Sequence, residues 1–135
     1  MIIDTSALVA ILLSEKDAQI MASAIDLDVC PAMSAVSFFE ASMVIQSRRR
    51  DEGVRDLDAF VQEAAIDIVP FTKGQADIAG RAFKKYGKGR HPAKLNFGDC
   101  VSYALAKDTG EPLLFKGTDF GKTDIAVVEL PASEN

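Results

Sequence analysis

The 135-residue chain is poor in the residues that staple a fold or anchor it to a membrane: it has two cysteines, one histidine, five prolines and nine glycines. Cys30 and Cys100 are too few for a disulfide scaffold, and each reads as a small buried hydrophobe. No apolar run approaches the ~18 residues of a membrane span. Nothing ahead of the apolar Met1-Ile2-Ile3 offers a signal peptide, so a reducing cytoplasm is the expected compartment. Glycine and proline are too sparse for a collagen-like or low-complexity chain. Net positive charge is missing too: the formal charge is −5, against a general nucleic-acid binder, which shows a basic footprint.

What remains is ordinary globular usage, 48% hydrophobic and 26% charged. A chain of this length makes one domain and buries roughly two thirds of its unfolded surface. We expect a single domain over residues 1–130 and a polar tail over 131–135.

Short apolar runs alternate with helical patterns. Strands are expected at 1–3, 29–32, 66–71, 112–115 and 125–128. Helices are expected at 7–13, 15–25, 34–49, 53–65, 72–86 and 97–108, the last capped by Asn96 and closed by Gly110. Gly87-Lys88-Gly89-Arg90-His91-Pro92 is a loop. Alternating strands and helices imply parallel βαβ units. Right-handed crossovers set every helix N-terminus at the carboxyl edge of the sheet, where such sheets carry function.

Four acids fall on that edge. Asp4 follows the first strand, Glu40 lies in the first turns of the helix after the second, Asp99 in the first turn after Asn96, and Asp119 after the fourth strand. Each alone has a structural reading, as an N-cap, a capping box with Ser37, a dipole partner or a turn residue. Together they repel unless a cation sits among them. Hard oxygen donors without His or Cys neighbours select Mg²⁺ or Mn²⁺ over Zn²⁺, and such ions serve phosphodiester hydrolysis.

Met1-Ile2-Ile3-Asp4-Thr5-Ser6-Ala7-Leu8 resembles the opening of PIN-domain nucleases, in particular VapC-type toxins of toxin–antitoxin pairs. Ser37-Phe38-Phe39-Glu40-Ala41, Leu95-Asn96-Phe97-Gly98-Asp99-Cys100 and Leu113-Leu114-Phe115-Lys116-Gly117-Thr118-Asp119-Phe120 are similar to the family's remaining motifs, in order and across the whole chain. The resemblance implies an α/β, PIN-like three-layer sandwich whose five-stranded parallel sheet is flanked by helices. It also implies an endoribonuclease with Mg²⁺ or Mn²⁺, a homodimer, and a VapB-type antitoxin as partner. By it Asp4, Glu40, Asp99 and Asp119 are the catalytic, metal-site acids, with Asp119 the most replaceable. Ser6, Thr118 and Asp124 are candidates for supporting them.

The net charge hides an asymmetry. From Arg81 to Lys94 there are six cations and no acid, leaving nine cations against twenty acids elsewhere. Lys84, Lys85, Lys88 and Arg90 are therefore candidate RNA contacts, against the alternative of a solvated helix face. His91 in the loop reads as structural. Surplus apolar surface on the first two helices and on Phe38-Phe39-x-x-x-Met43 suits a dimer face or an antitoxin groove. Two other classes compete: a phospho-acceptor receiver-like module, which lacks a paired acidic doublet here, and an inactive PIN domain kept for binding, which the four acids oppose.

Overall fold

In the computed structural model, which describes residues 1–132, the opening strand β1 (Ile2–Ile3) is buried on both faces. It pairs in parallel with β2 (Ala32–Ser34) on one side and with β4 (Leu113–Leu114) on the other. β3 (Asp67–Val69) pairs in parallel beyond β2, so the order is β3-β2-β1-β4. Side chains alternate across a strand, and the core divides accordingly. Ile2 and Leu113 join one hydrophobic cluster while Ile3 and Leu114 join the other.

The Ile3 side is covered by α1 (Thr5–Leu12), α2 (Ala18–Leu27) and α3 (Ala35–Glu63), through Leu8, Met21, Ile25 and Leu57. The Ile2 side is covered by α4 (Lys73–Tyr86) and α5 (Phe97–Thr109), through Tyr86, Tyr103 and Leu105. That is the expected three-layer arrangement, apolar on both sheet faces because helices cover both.

The sheet has four strands, not five. Val127 forms a single parallel bridge to Leu113. Leu113 donates to Ala126 O at 3.0 Å and accepts from Val128 N at 2.9 Å. The neighbouring carbonyls of Pro112 and Leu114 turn the other way, to Ile2 N and Asp4 N. So short a strand offers its free edge one residue, and a fifth strand has nothing further to pair with.

Three other expectations shift. The second strand lies at Ala32–Ser34 rather than 29–32, because Val29 is 98% exposed in the loop before it. Cys30 shares that loop and is exposed, not buried; Cys100 is buried as expected. The helices expected at 34–49 and 53–65 run on as α3, broken at Arg50 (φ 55°, ψ −147°). A Cβ at Gly53 would collide with Arg49 Cβ, so only glycine lets the second half fold this closely on the first. Of the expected tail, Pro131 and Ala132 are exposed, and 133–135 lie outside the described residues.

Candidate active site

Asp4 follows β1 and caps α1, and it is 3% exposed. Buried charge must be matched by donors, and here each oxygen has them. Oδ2 accepts from Ser6 N at 3.0 Å and from Ser6 Oγ at 2.6 Å. Oδ1 accepts from Ser102 Oγ at 2.5 Å. Ser6 Oγ in turn accepts from Lys116 N at 2.9 Å, which ties the chain after β4 to the same point.

Asp99 and Asn96 form a reciprocal cap on α5. Asn96 Oδ1 accepts from Asp99 N at 2.9 Å, and Asp99 Oδ2 accepts from Asn96 N at 3.0 Å. Glu40, in the second turn of α3, lays its carboxylate against the first turn of α5. A Cβ at position 98 would stand 2.5 Å from Glu40 Oε1 and 2.8 Å from Oε2, so Gly98 makes room for that contact. Asp4, Ser6, Glu40, Val44, Asn96 and Asp99 together line a cleft of about 270 Å³.

Asp119 opens a 3₁₀ helix (Asp119–Lys122) and is partly buried. It does not line the cleft, yet its charge is felt there. Burial pushes the Asp99 carboxyl up to about 6, and the charges of Asp4, Asp119 and Glu40 add to the rise; the hydrogen bond from Asn96 opposes it. The four acids therefore share one electrostatic field. They do not close into a cage: among the described residues no three His, Cys, Asp or Glu side chains stand as a ready ligand cluster. The site is a set of mutually repelling hard oxygen donors around a small open cleft, with Glu40 held in a cradle that any larger residue at 98 would fill. That donor set suits a hard divalent cation.

Of the three residues expected to support the acids, only Ser6 touches one of them. Thr118 is exposed and caps nothing with its hydroxyl. Asp124 accepts from Tyr103 OH at 2.5 Å and Lys107 Nζ at 2.9 Å, bonds that hold its carboxyl below the usual range. It pins the C-terminal segment to α5. His91 is structural as expected: its Nδ1 accepts from Ala93 N at 3.0 Å and its ring stands edge-on to Tyr86.

Lys84, Lys85, Lys88 and Arg90 are all exposed, on the last turn of α4 and the loop after it. Among the described residues none of them pairs with a carboxylate. Arg90 lies over the Phe83 ring and Lys85 over Tyr86.

The sequence reading missed Ser102 and Gly98, and it gave Ser37 to a capping box with Glu40, whereas Ser34 caps α3 and the Ser37 hydroxyl lies against Ser102. Ser102 had a signal: it is the one small polar side chain in the run Val101-Ser102-Tyr103-Ala104-Leu105-Ala106, one turn after Asp99. Gly98 had a weaker one, a helix-disfavouring residue inside a first turn.

The PIN domain family model matches residues 1–126. Ribonuclease VapC30 of Mycobacterium tuberculosis is 52% identical over 131 residues, 97% of this chain and 100% of its own. Ribonuclease VapC of Mycolicibacterium smegmatis is 51% identical over 128 residues, 95% of this chain and 99% of its own. Among solved structures, M. tuberculosis VapC20, a sarcin-ricin loop cleaving toxin, superposes with a TM-score of 0.77 at 14% identity, covering 94% of this chain and 97% of that one. VapBC2 from Rickettsia felis, bound to a DNA fragment from its promoter, gives 0.75 at 13% identity, covering 96% and 98%. At those identities the structures establish a shared fold, and the closer sequences establish kinship. The chain belongs to the PIN-domain family and, within it, to the VapC ribonucleases.

Proposed function

We propose that this ribonuclease is the toxin of a toxin–antitoxin pair, an endoribonuclease that hydrolyses RNA phosphodiester bonds with Mg²⁺ or Mn²⁺ held by Asp4, Glu40, Asp99 and Asp119. The observation that carries the reading is the convergence of Asp4, Glu40 and Asp99 on one small cleft, where burial chiefly, and the charges of Asp4, Asp119 and Glu40 besides, raise the Asp99 carboxyl. A fold keeps such repulsion where a cation relieves it.

When bound, a divalent cation neutralises the cleft and supplies an activated water and charge stabilisation for in-line displacement at phosphorus. The chain does the rest. Asp4 offers a carboxylate fixed on both oxygens by Ser6 and Ser102. Asp99 keeps Oδ1 without a hydrogen-bond partner among the described residues, while Oδ2 is spent on the cap. Glu40 is delivered from the opposite side by the space at Gly98. Lys84, Lys85, Lys88 and Arg90 draw the RNA backbone toward a cleft that would otherwise repel it.

Two surfaces fit the proteins expected to assemble with it. A groove of about 840 Å³ between α1 and α3, walled by Ile11, Leu12 and Phe60 but also by Arg48, Arg49, Asp56 and Glu63, takes an amphipathic antitoxin helix, its apolar side chains against the former and its charged ones against the latter. Phe39 and Met43, one turn apart on α3 and 62% and 47% exposed, suit a homodimer face. No helix among the described residues is long and apolar enough to cross a membrane, and we place the reaction in the cytoplasm with its RNA substrate.

The test is RNA 5′-end mapping in a bacterial host after brief induction, with Asp99→Asn as control. New ends at one or a few sites, present with the wild type and absent with the variant, establish the activity and name its target. Identical end profiles move the reading to an inactive PIN domain kept for binding.

A further inference from the structure

We infer that Ser102 is a positioning residue of the acidic cleft, holding the Asp4 carboxylate in the orientation that receives the divalent cation. The inference rests on the reading of the cleft just given and adds to it a residue beyond the four acids.

Ser102 is 1% exposed, on a stretch of α5 whose neighbours are all buried. A hydroxyl there costs stability unless it is bonded. Its Oγ donates to Asp4 Oδ1 at 2.5 Å and lies 3.2 Å from Ser37 Oγ. With the Ser102 proton committed to Asp4, Ser37 is the donor in the second contact. The hydroxyls therefore run from Ser37 to Ser102 to Asp4, each polarising the next. Thr5 Oγ1 donates to the Ser37 carbonyl at 2.9 Å, which ties α1 to α3 at the root of the chain.

Ser6 secures Oδ2 from the cleft side, so the two serines grip the carboxylate from both ends. Among the described residues Ser102 is the only donor to Oδ1. Without it the group is free to turn about its Cβ–Cγ bond, pushed by the charges on Asp99 and Glu40. α5 thus presents to Asp4 both the acid that repels it and, one turn on, the hydroxyl that steadies it.

The experiment measures Mn²⁺ binding to the full chain, by titration calorimetry and electron paramagnetic resonance, with no RNA present. Partners of metal ligands are worth about 10- to 100-fold in affinity, so Ser102→Ala and Ser102→Cys are expected to weaken Mn²⁺ binding by roughly 10-fold or more, while Ser102→Thr stays within about threefold of wild type. Cysteine fills the space of the hydroxyl, with a slightly larger atom, and donates poorly, so wild-type affinity in Ser102→Cys overturns the inference in favour of simple packing. Should Ser102→Ala fail to fold, Ser37→Ala tests the same relay from one step back, with a smaller loss expected and no loss counting against the inference. Failure of the underlying reading looks different: Asp4→Asn and Asp99→Asn would then also bind Mn²⁺ as the wild type does, or the wild type would bind none.

Discussion

Asp4 is 3% exposed and spends both carboxylate oxygens on serine donors, whereas Lys84, Lys85, Lys88 and Arg90 stand in solvent with at most a ring face for company. The two regions carry opposite charge and are built to opposite tolerances. A group that must meet a reacting atom has to be held to within fractions of an ångström, and that takes burial, donors and a neighbour cut back to glycine. A group that need only attract a polyanion works through long-range field and counterion release, for which a loose side chain serves. Substitutions in the cleft should therefore act on the chemical step and those in the arm on encounter.

The largest expected effect is the loss of an acid. Asp99→Asn and Asp4→Asn are each expected to lower RNA cleavage by on the order of 10³-fold or more, as removal of a charge acting directly at the reacting centre does. Cleavage of an end-labelled target RNA by purified protein in Mn²⁺ measures it. Wild-type rates in either variant would dissolve the contrast between cleft and arm.

Next comes Gly98→Ala, which replaces none of the acids but crowds one of them. Its methyl would stand 2.5 Å from Glu40 Oε1, and the Glu40 side chain can swing away to make room. The fold should survive while the carboxylate is displaced. A shift of about 1 Å at a reacting centre can cost roughly 10²-fold in rate. If circular dichroism is unchanged and the rate is too, Glu40 has no part in the chemistry.

A smaller effect is expected in the arm. Replacing Lys84, Lys85 and Lys88 with Gln should leave single-turnover cleavage at saturating enzyme near wild type while weakening RNA binding. The slope of log K against log salt should fall by about 0.7 for each phosphate that is no longer neutralised. An unchanged slope returns the arm to an ordinary solvated helix face.

The two regions also differed in how far the sequence disclosed them. The arm is a composition feature, six cations in fourteen residues, and any reading finds it. The acids were legible because each follows a strand or opens a helix, and topology sends all such positions to one sheet edge. Hidden from sequence were the bonds made across it. The Ser102 bond to Asp4 joins residues 98 apart, and only the register of β1 with β4 brings α5 against the end of β1. The fifth strand failed for a similar reason, since Ile125 to Val128 has the right residues but β4 is too short to offer more than Leu113 as a partner. Asp124 was misplaced because proximity in sequence to Asp119 says nothing of the side on which Tyr103 waits.

The smallest expected effect separates the two acids that cleavage assays cannot tell apart. The Asp99 carboxyl sits near 6 in the folded chain against an ordinary 3.8. The folded state therefore holds its proton over a range in which the unfolded chain has released it. That contribution is fully present below about pH 4 and is lost as pH rises through 6. Asn carries no such loss, so the melting temperature of metal-free Asp99→Asn should rise above that of the wild type between pH 4 and 6 and hold its lead above pH 6, by on the order of a few °C. Asp4→Asn should show no gain, because it gives up charge-assisted bonds from Ser6 and Ser102. Scanning calorimetry from pH 4 to 8 decides it, and a lead for Asp99→Asn that does not vary with pH would mean that the Asp99 carboxyl is not raised in the folded chain. Adding Mn²⁺ should then lift the wild type and leave Asp99→Asn nearly where it was, since only a cation that binds the folded chain stabilises it and the substitution takes away one of the carboxylates that would hold it.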